Sequence, residues 1–101
     1  MARRPRYEVE VRPAGWLTFV YRKLRGIEEP ALTAEEAFEA ARRAWQDRAL
    51  PWNGPFMVEE HARVYLVLTE HSGRDCTNVI EVDARSGEVL RGHDGWGIRR
   101  I

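Results

Sequence analysis

The residues of this chain best suited to chemistry are a base, a carboxylate and a thiol that lie close together in the sequence. His71, Asp75 and Cys76 could act as base, orienting group and nucleophile. However, the segment 71–75 (HSGRD) is typical of a turn between strands, where polar residues occur without a catalytic role. We therefore expect no catalytic residues here and predict that the protein is not an enzyme.

The remaining polar residues do not form the spacing of a metal or cofactor site. The three histidines lie in separate segments, without an H-x-x-x-H or C-x-x-C arrangement. No glycine-rich phosphate loop and no G-x-S-x-G elbow occurs. Carboxylates recur through the second half of the chain, as expected for the solvent face of a sheet. The sequence thus predicts no metal and no cofactor.

Composition indicates an ordinary globular domain spanning residues 1–101. The chain is 44% hydrophobic and 32% charged, with a formal net charge of zero. Cys76 is the only cysteine and cannot form an internal disulfide, which favours a reducing compartment. No segment approaches the roughly 20 apolar residues of a membrane span. We expect a cytoplasmic protein with no membrane partner.

The N-terminal quarter, 1–25, is predicted to form a β-hairpin. Tyr7, Val9 and Val11 alternate with charged residues, as in an edge strand. A Pro-Ala-Gly turn follows, and residues 16–24 (WLTFVYRKL) are rich in the aromatic and β-branched side chains that strands favour. A homodimer could form through the edge strand of this hairpin.

Residues 33–48 are predicted to form the one main helix. Thr33 and Glu36 have the spacing of a capping box. An apolar stripe at helical spacing follows, anchored by Phe38 and Trp45. The alanines between them would allow close approach to a sheet.

The segment 56–91 is predicted to be a β-meander, and 92–101 a glycine-rich tail. Apolar residues alternate over Val64–Thr69 and again around Ile80, and Gly87 follows an Asp-Ala-Arg-Ser turn. The predicted fold is α+β: an antiparallel sheet of four to six strands in the order β-β-α-β-β-β, with the helix on one face.

Part of this pattern resembles two families of small bacterial proteins, over residues 33–90. The capped helix beginning TAEEAFEAA and the turn at 79–89 (VIEVDARSGEV) resemble the PepSY domain. The order of helix, Pro55–Val58 strand, aromatic strand and hairpin is also similar to immunity proteins with a nuclear-transport-factor-two-like fold. PepSY proteins usually carry a signal or membrane segment, so the absence of one here favours the immunity-like comparison. That resemblance implies a protein that neutralises a toxin and has no catalytic residues.

These patterns predict a non-enzymatic domain that binds another protein, for example a toxin whose active surface it covers. Aromatic residues in rigid loops are favoured interface anchors, although they also close the ends of small cores. Charge is segregated as well, since residues 1–25 contain seven basic and two acidic side chains. The candidate partner-binding residues are Trp16, Arg22, Trp52, Glu59, Glu60 and Trp96.

The alternative is a small nucleic-acid-binding protein that uses the basic, aromatic hairpin. Arg12, Arg22, Lys23 and Arg25 lie near Trp16, Phe19 and Tyr21 in the sequence. Such residues on a sheet surface could contact phosphates and stack on bases. No recognised nucleic-acid motif accompanies them, and the domain as a whole is neutral.

Overall fold

A computed structural model describes residues 8–72, 75–94 and 97–99 and shows two helices and one mixed β-sheet. The sheet has the strand order β1-β2-β3-β4-β5-β6. The elements are β1 (Val9–Arg12), α1 (Trp16–Arg25), α2 (Ala34–Asp47), β2 (Phe56–Glu60), β3 (Val64–Thr69), β4 (Asn78–Asp83), β5 (Val89–Asp94) and β6 (Gly97–Arg99). The α+β class is confirmed.

The predicted strand order and the single helix are wrong. Two helices separate β1 from β2, and the long crossover lets β1 pair with β2 in parallel, with Val9 opposite Phe56. The remaining pairings are antiparallel. The N-terminal hairpin does not form, because residues 16–25 are helical and only 9–12 of the predicted edge strand are paired. Tyr7 lies outside the described residues.

Helix α1 ends in a glycine cap that overrides the strand propensity of its residues. Gly26 adopts the left-handed conformation, at φ 64°. The amide of Ile27 donates to the carbonyl of Arg22 at 2.8 Å, the hydrogen bond that closes a Schellman motif. Basic residues lie in the last turn, where their positive charges interact favourably with the negative end of the helix dipole.

Helix α2 confirms the prediction for residues 33–48. The amide of Glu36 donates to Thr33 Oγ1 at 3.2 Å, and the amide of Thr33 donates to Glu36 Oε1 at 3.0 Å. Both halves of the capping box therefore form. The helix buries its apolar stripe against β2, β3 and β4. The core under it contains Ala37, Phe38, Ala41, Trp45, Phe56, Val58, Tyr65, Val67, Ile80, Val82 and Ala84.

The turn between β4 and β5 forms as its sequence predicts. Asp83 accepts hydrogen bonds from the amides of Ser86 and Arg85 through Oδ1, and these bonds lower the pKa of its carboxyl group. Gly87 follows at φ 77°. A Cβ at this position would lie 3.0 Å from Leu32 Cδ2, so the turn packs closely on the segment before α2.

The segment between the two helices is fixed to that turn. The amides of Ala31 and Leu32 donate to the carbonyl of Ala84, at 3.0 and 3.2 Å. The carbonyl of Leu32 in turn accepts the Tyr65 hydroxyl at 2.8 Å. The chain entering α2 is thereby held beside the β4–β5 turn.

The meander continues further than predicted. Residues 56–58, at the start of the predicted meander, belong to β2. Part of the predicted tail is paired: β5 runs to Asp94, and β6 pairs with it, Gly97 lying opposite Asp94. Within the described ranges, neither helix is long and apolar enough to cross a membrane.

Candidate protein-interaction surface

Helix α1 directs its apolar stripe away from the domain. At about 3.6 residues per turn, the stripe covers one side of the helix. We call this stripe the α1 face; it consists of Trp16, Leu17, Val20, Tyr21 and Leu24. Leu24 is 80% exposed, Trp16 72% and Leu17 66%, while Val20 and Tyr21 are each nearly half exposed. An amphipathic helix of a globular domain normally has the opposite orientation.

The side of α1 opposite the α1 face is fixed by a buried arginine. Arg22 is 2% exposed and lies on the side of the helix opposite the α1 face. Its Nε donates to the carbonyl of Ala62 at 3.0 Å, and its Nη2 donates to the carbonyl of His61 at 2.7 Å. The same Nη2 lies 3.1 Å from Oε2 of Glu60. A guanidinium held by three acceptors sets the rotation of the helix, and that rotation leaves the α1 face in solvent.

The exposed area is large for a surface without a partner. Full side chains of this size offer about 150–250 Å² if aromatic and somewhat less if aliphatic, so the exposed fractions give on the order of 600 Å² for the α1 face. This reaches the upper end of the apolar patches that monomers usually present, which are often functional. Among the described residues, no strand packs along α1 as β2, β3 and β4 pack against α2.

The charge around the α1 face is of one sign. Lys23 and Arg25 flank the stripe near the C-terminal end of α1, and the helix contains no carboxylate. The guanidinium of Arg25 lies 5.9 Å from the centre of the Tyr21 ring, a cation–π contact. Among the described residues neither cation forms an ion pair within 4 Å.

The residues predicted to bind a partner, where they are described, lie in different environments. Trp16 belongs to the α1 face. Arg22 is buried, and Glu60 is its ion-pair partner, so neither offers a free charge to a partner. Glu59 is half-buried on β2. Trp96 lies outside the described residues.

Trp52 closes one end of the core. Its ring stacks on Phe56 with centroids 5.0 Å apart and contacts Phe38 at 5.3 Å. Trp52 is half-buried and packs against the cluster under α2. Of the two roles expected for the loop tryptophans, interface anchor or closure of the core, Trp52 therefore has the second.

The residues suited to catalysis are not assembled for it. Within the described segments, no hydrogen bond joins the His71 side chain to Asp75 or Cys76, and Nδ1 of His71 is buried without a partner. Burial, and then the charges of Asp75 and Glu59, raise the pKa of the Cys76 thiol. A raised pKa disfavours the thiolate that a nucleophile requires.

Two further features of the structure bear on ligand binding. In the described ranges, no group of three His, Cys, Asp or Glu side chains is placed to hold a metal. A groove of about 420 Å³ lies between the end of α1 and the β4–β5 turn, beside Arg63 and Arg85. Arg85 contacts Glu28 Oε2 at 2.7 Å and donates to the carbonyl of Glu29 at 2.9 Å. Arg85, one of the arginines that line the groove, is therefore already paired within the protein.

Strand propensity predicts a strand for residues 16–24 and therefore does not reveal the α1 face. Two signals in the sequence point to a helix instead. Apolar residues recur four positions apart, at Trp16, Val20 and Leu24, and a basic last turn is followed by Gly26. Applied to 16–26, these rules predict an amphipathic helix, although they do not predict which side faces solvent.

The chain matches no protein-family model, no curated protein and no solved structure. The expected PepSY-like or immunity-like relationship thus remains a prediction.

Proposed function

We propose that this protein is a non-enzymatic protein-binding domain whose contact surface is the α1 face. The observation that supports the proposal is the orientation of α1, with the five side chains of the α1 face in solvent and Arg22 buried on the opposite side. Burying apolar surface contributes about 25 cal/mol per Å². An exposed face of this size therefore favours association strongly if a complementary surface is available.

A protein partner fits the α1 face better than nucleic acid. The nucleic-acid alternative required basic and aromatic residues interleaved on a sheet, and these residues are instead on a helix. Arg22 is unavailable to phosphate, and the exposed Arg12 lies 3.9 Å from a carboxylate oxygen of Glu10. The surface that remains is mainly apolar, as in the centre of a protein interface.

Neutralisation of a toxin is the specific form of protein binding that the immunity-like resemblance suggests. In that form, the α1 face would cover an apolar region of the toxin. A helix that presents apolar residues one turn apart is suited to this, because such helices dock into apolar grooves of partner proteins.

Substitution of the α1 face tests the proposal. Leu17→Glu with Leu24→Glu places two charges in the stripe without touching the core. Leu90→Glu is the matched control, since Leu90 is 41% exposed on β5, outside the α1 face. Immobilised wild-type protein and the control should retain the same proteins from the native lysate, or additional copies of the chain, and the double variant should lose them. If all three retain the same set, the α1 face is not the binding surface.

A further inference from the structure

We propose that the partner of the α1 face is a second copy of this chain, with the two α1 helices packed antiparallel about a two-fold axis near Val20. This inference rests on the proposed function and specifies the partner of the same surface; in the dimer that surface is occupied by the second copy and is not available to a toxin. The predicted homodimer through an edge strand is thereby replaced by a dimer through a helix.

The spacing of the α1 face is suited to another helix. Leu17, Val20 and Leu24 follow the three-and-four spacing of a helix–helix seam, flanked by Trp16 and Tyr21. This stripe runs the whole length of the ten-residue helix. A second α1 offers a stripe of the same length and width, which a two-fold axis brings opposite the first.

The area of the α1 face is sufficient for a small specific dimer interface. On the order of 600 Å² from each copy gives about 1,200 Å² in total, at the lower end of specific interfaces and above most non-specific contacts. Pairing of two copies through the edge strand β1 would offer a smaller contact area than pairing through α1. Strand β1 has four residues, of which Glu10 and Arg12 are charged and exposed, a composition that discourages edge-to-edge association.

The charges on α1 select the antiparallel arrangement. In a parallel pair, Lys23 and Arg25 of one helix would lie beside the same cations of the other. In an antiparallel pair centred on Val20, the two copies of Arg25 are ten residues apart along the axis, or about 15 Å, and those of Lys23 six residues, or about 9 Å. Both distances exceed the Debye length of about 8 Å at physiological salt, so the repulsion between these cations is reduced by screening.

Sedimentation velocity over a range of protein concentrations tests the dimer. Wild-type protein and Leu90→Glu should sediment as dimers and dissociate on dilution, and Leu17→Glu with Leu24→Glu should weaken association by about 100-fold or more. Circular dichroism should show the same helix content in all three, because the substituted side chains are exposed in the monomer. A wild-type protein that remains monomeric at high concentration would overturn the proposal.

Single cysteines test the arrangement of the helices. In a Cys76→Ser background, Val20→Cys should form a disulfide between copies, because a residue near the two-fold axis faces itself. Leu24→Cys alone should not, but should cross-link to Trp16→Cys in a mixture. Leu90→Cys is the control. Self-cross-linking of Leu24→Cys as efficient as that of Val20→Cys would contradict the antiparallel arrangement.

The two proposals fail in different ways. If the wild-type protein is monomeric yet retains a foreign protein through the α1 face, the dimer is wrong and the proposed function stands. If the protein is monomeric and the double variant retains the same proteins as wild type, both are wrong. Vesicles of anionic phospholipid provide a further measurement: a monomer that sediments with them only when the α1 face is intact would contradict both proposals.

Discussion

Nη2 of Arg22 on α1 lies 3.1 Å from Oε2 of Glu60 at the end of β2, and this pair connects the polar side of the helix to the sheet. The side chain of Arg22 is 3% exposed and that of Glu60 20%. A charge so deeply buried must remain paired, so the helix cannot rotate its apolar face inward without losing these contacts. The orientation of the α1 face follows from this pair.

Arg22→Ala should lower the free energy of unfolding by about 2–4 kcal/mol, because it removes three hydrogen bonds and leaves Glu60 partly buried without its partner. Urea titration followed by circular dichroism measures this change. Arg12→Ala is the control, since Arg12 and Glu10 form an exposed pair and the change should be below about 0.5 kcal/mol. Equal stability of the two variants would mean that Arg22 does not hold α1.

Gly87→Ala should destabilise the protein more than Gly26→Ala. Both glycines have a positive φ, so alanine at either position should cost about 1 kcal/mol in backbone strain. At Gly87 the new Cβ also lies 3.0 Å from Leu32 Cδ2, whereas at Gly26 it meets nothing within 4 Å. Thermal unfolding of both variants measures the difference. A larger loss at Gly26 would show that the β4–β5 turn is not closely packed on Leu32.

Tyr65→Phe should cost about 1 kcal/mol at neutral pH, because it removes the 2.8 Å hydrogen bond to the carbonyl of Leu32. Burial, and then the charge of Glu60, raise the pKa of Tyr65. A raised native pKa contributes stability below the unfolded pKa of about 10, and this contribution is lost as the pH rises through the native value. The stability difference between wild type and Tyr65→Phe should therefore shrink above pH 10. Urea titrations between pH 8 and pH 11 would show a constant difference if Tyr65 did not titrate in this way.

The Cys76 thiol should react slowly with a disulfide reagent in the native protein. Burial and the nearby carboxylates raise its pKa, so the thiolate fraction at pH 8 is smaller than in the unfolded chain. Reaction rates at pH 8 with and without urea measure this. A native rate above the unfolded one would indicate an activated thiol and would support the catalytic interpretation of His71, Asp75 and Cys76.

The sequence predicts α2 and the β4–β5 turn correctly because the hydrogen bonds that define them join residues close together in the chain. Thr33 bonds Glu36 three residues away, and Asp83 bonds Ser86 in the same way. The orientation of α1 depends instead on Arg22 reaching Ala62, 40 residues away. Intrinsic propensity favoured a strand for these aromatic and β-branched residues, and the glycine cap with the Arg22 contacts outweighs it. The burial of Trp52 likewise depends on Phe38 and Phe56, which its own loop does not specify.

Both proposals require the α1 face to be exposed in the monomer, and hydroxyl-radical footprinting measures this exposure residue by residue. In dilute protein, Trp16, Leu17 and Leu24 should be oxidised rapidly, and raising the concentration should protect them while Leu90 is unchanged. This result would place the α1 face in solvent in the monomer and in an interface after association. Protection of residues 16–24 at every dilution would contradict both proposals, because it would mean that α1 packs its apolar stripe against its own domain.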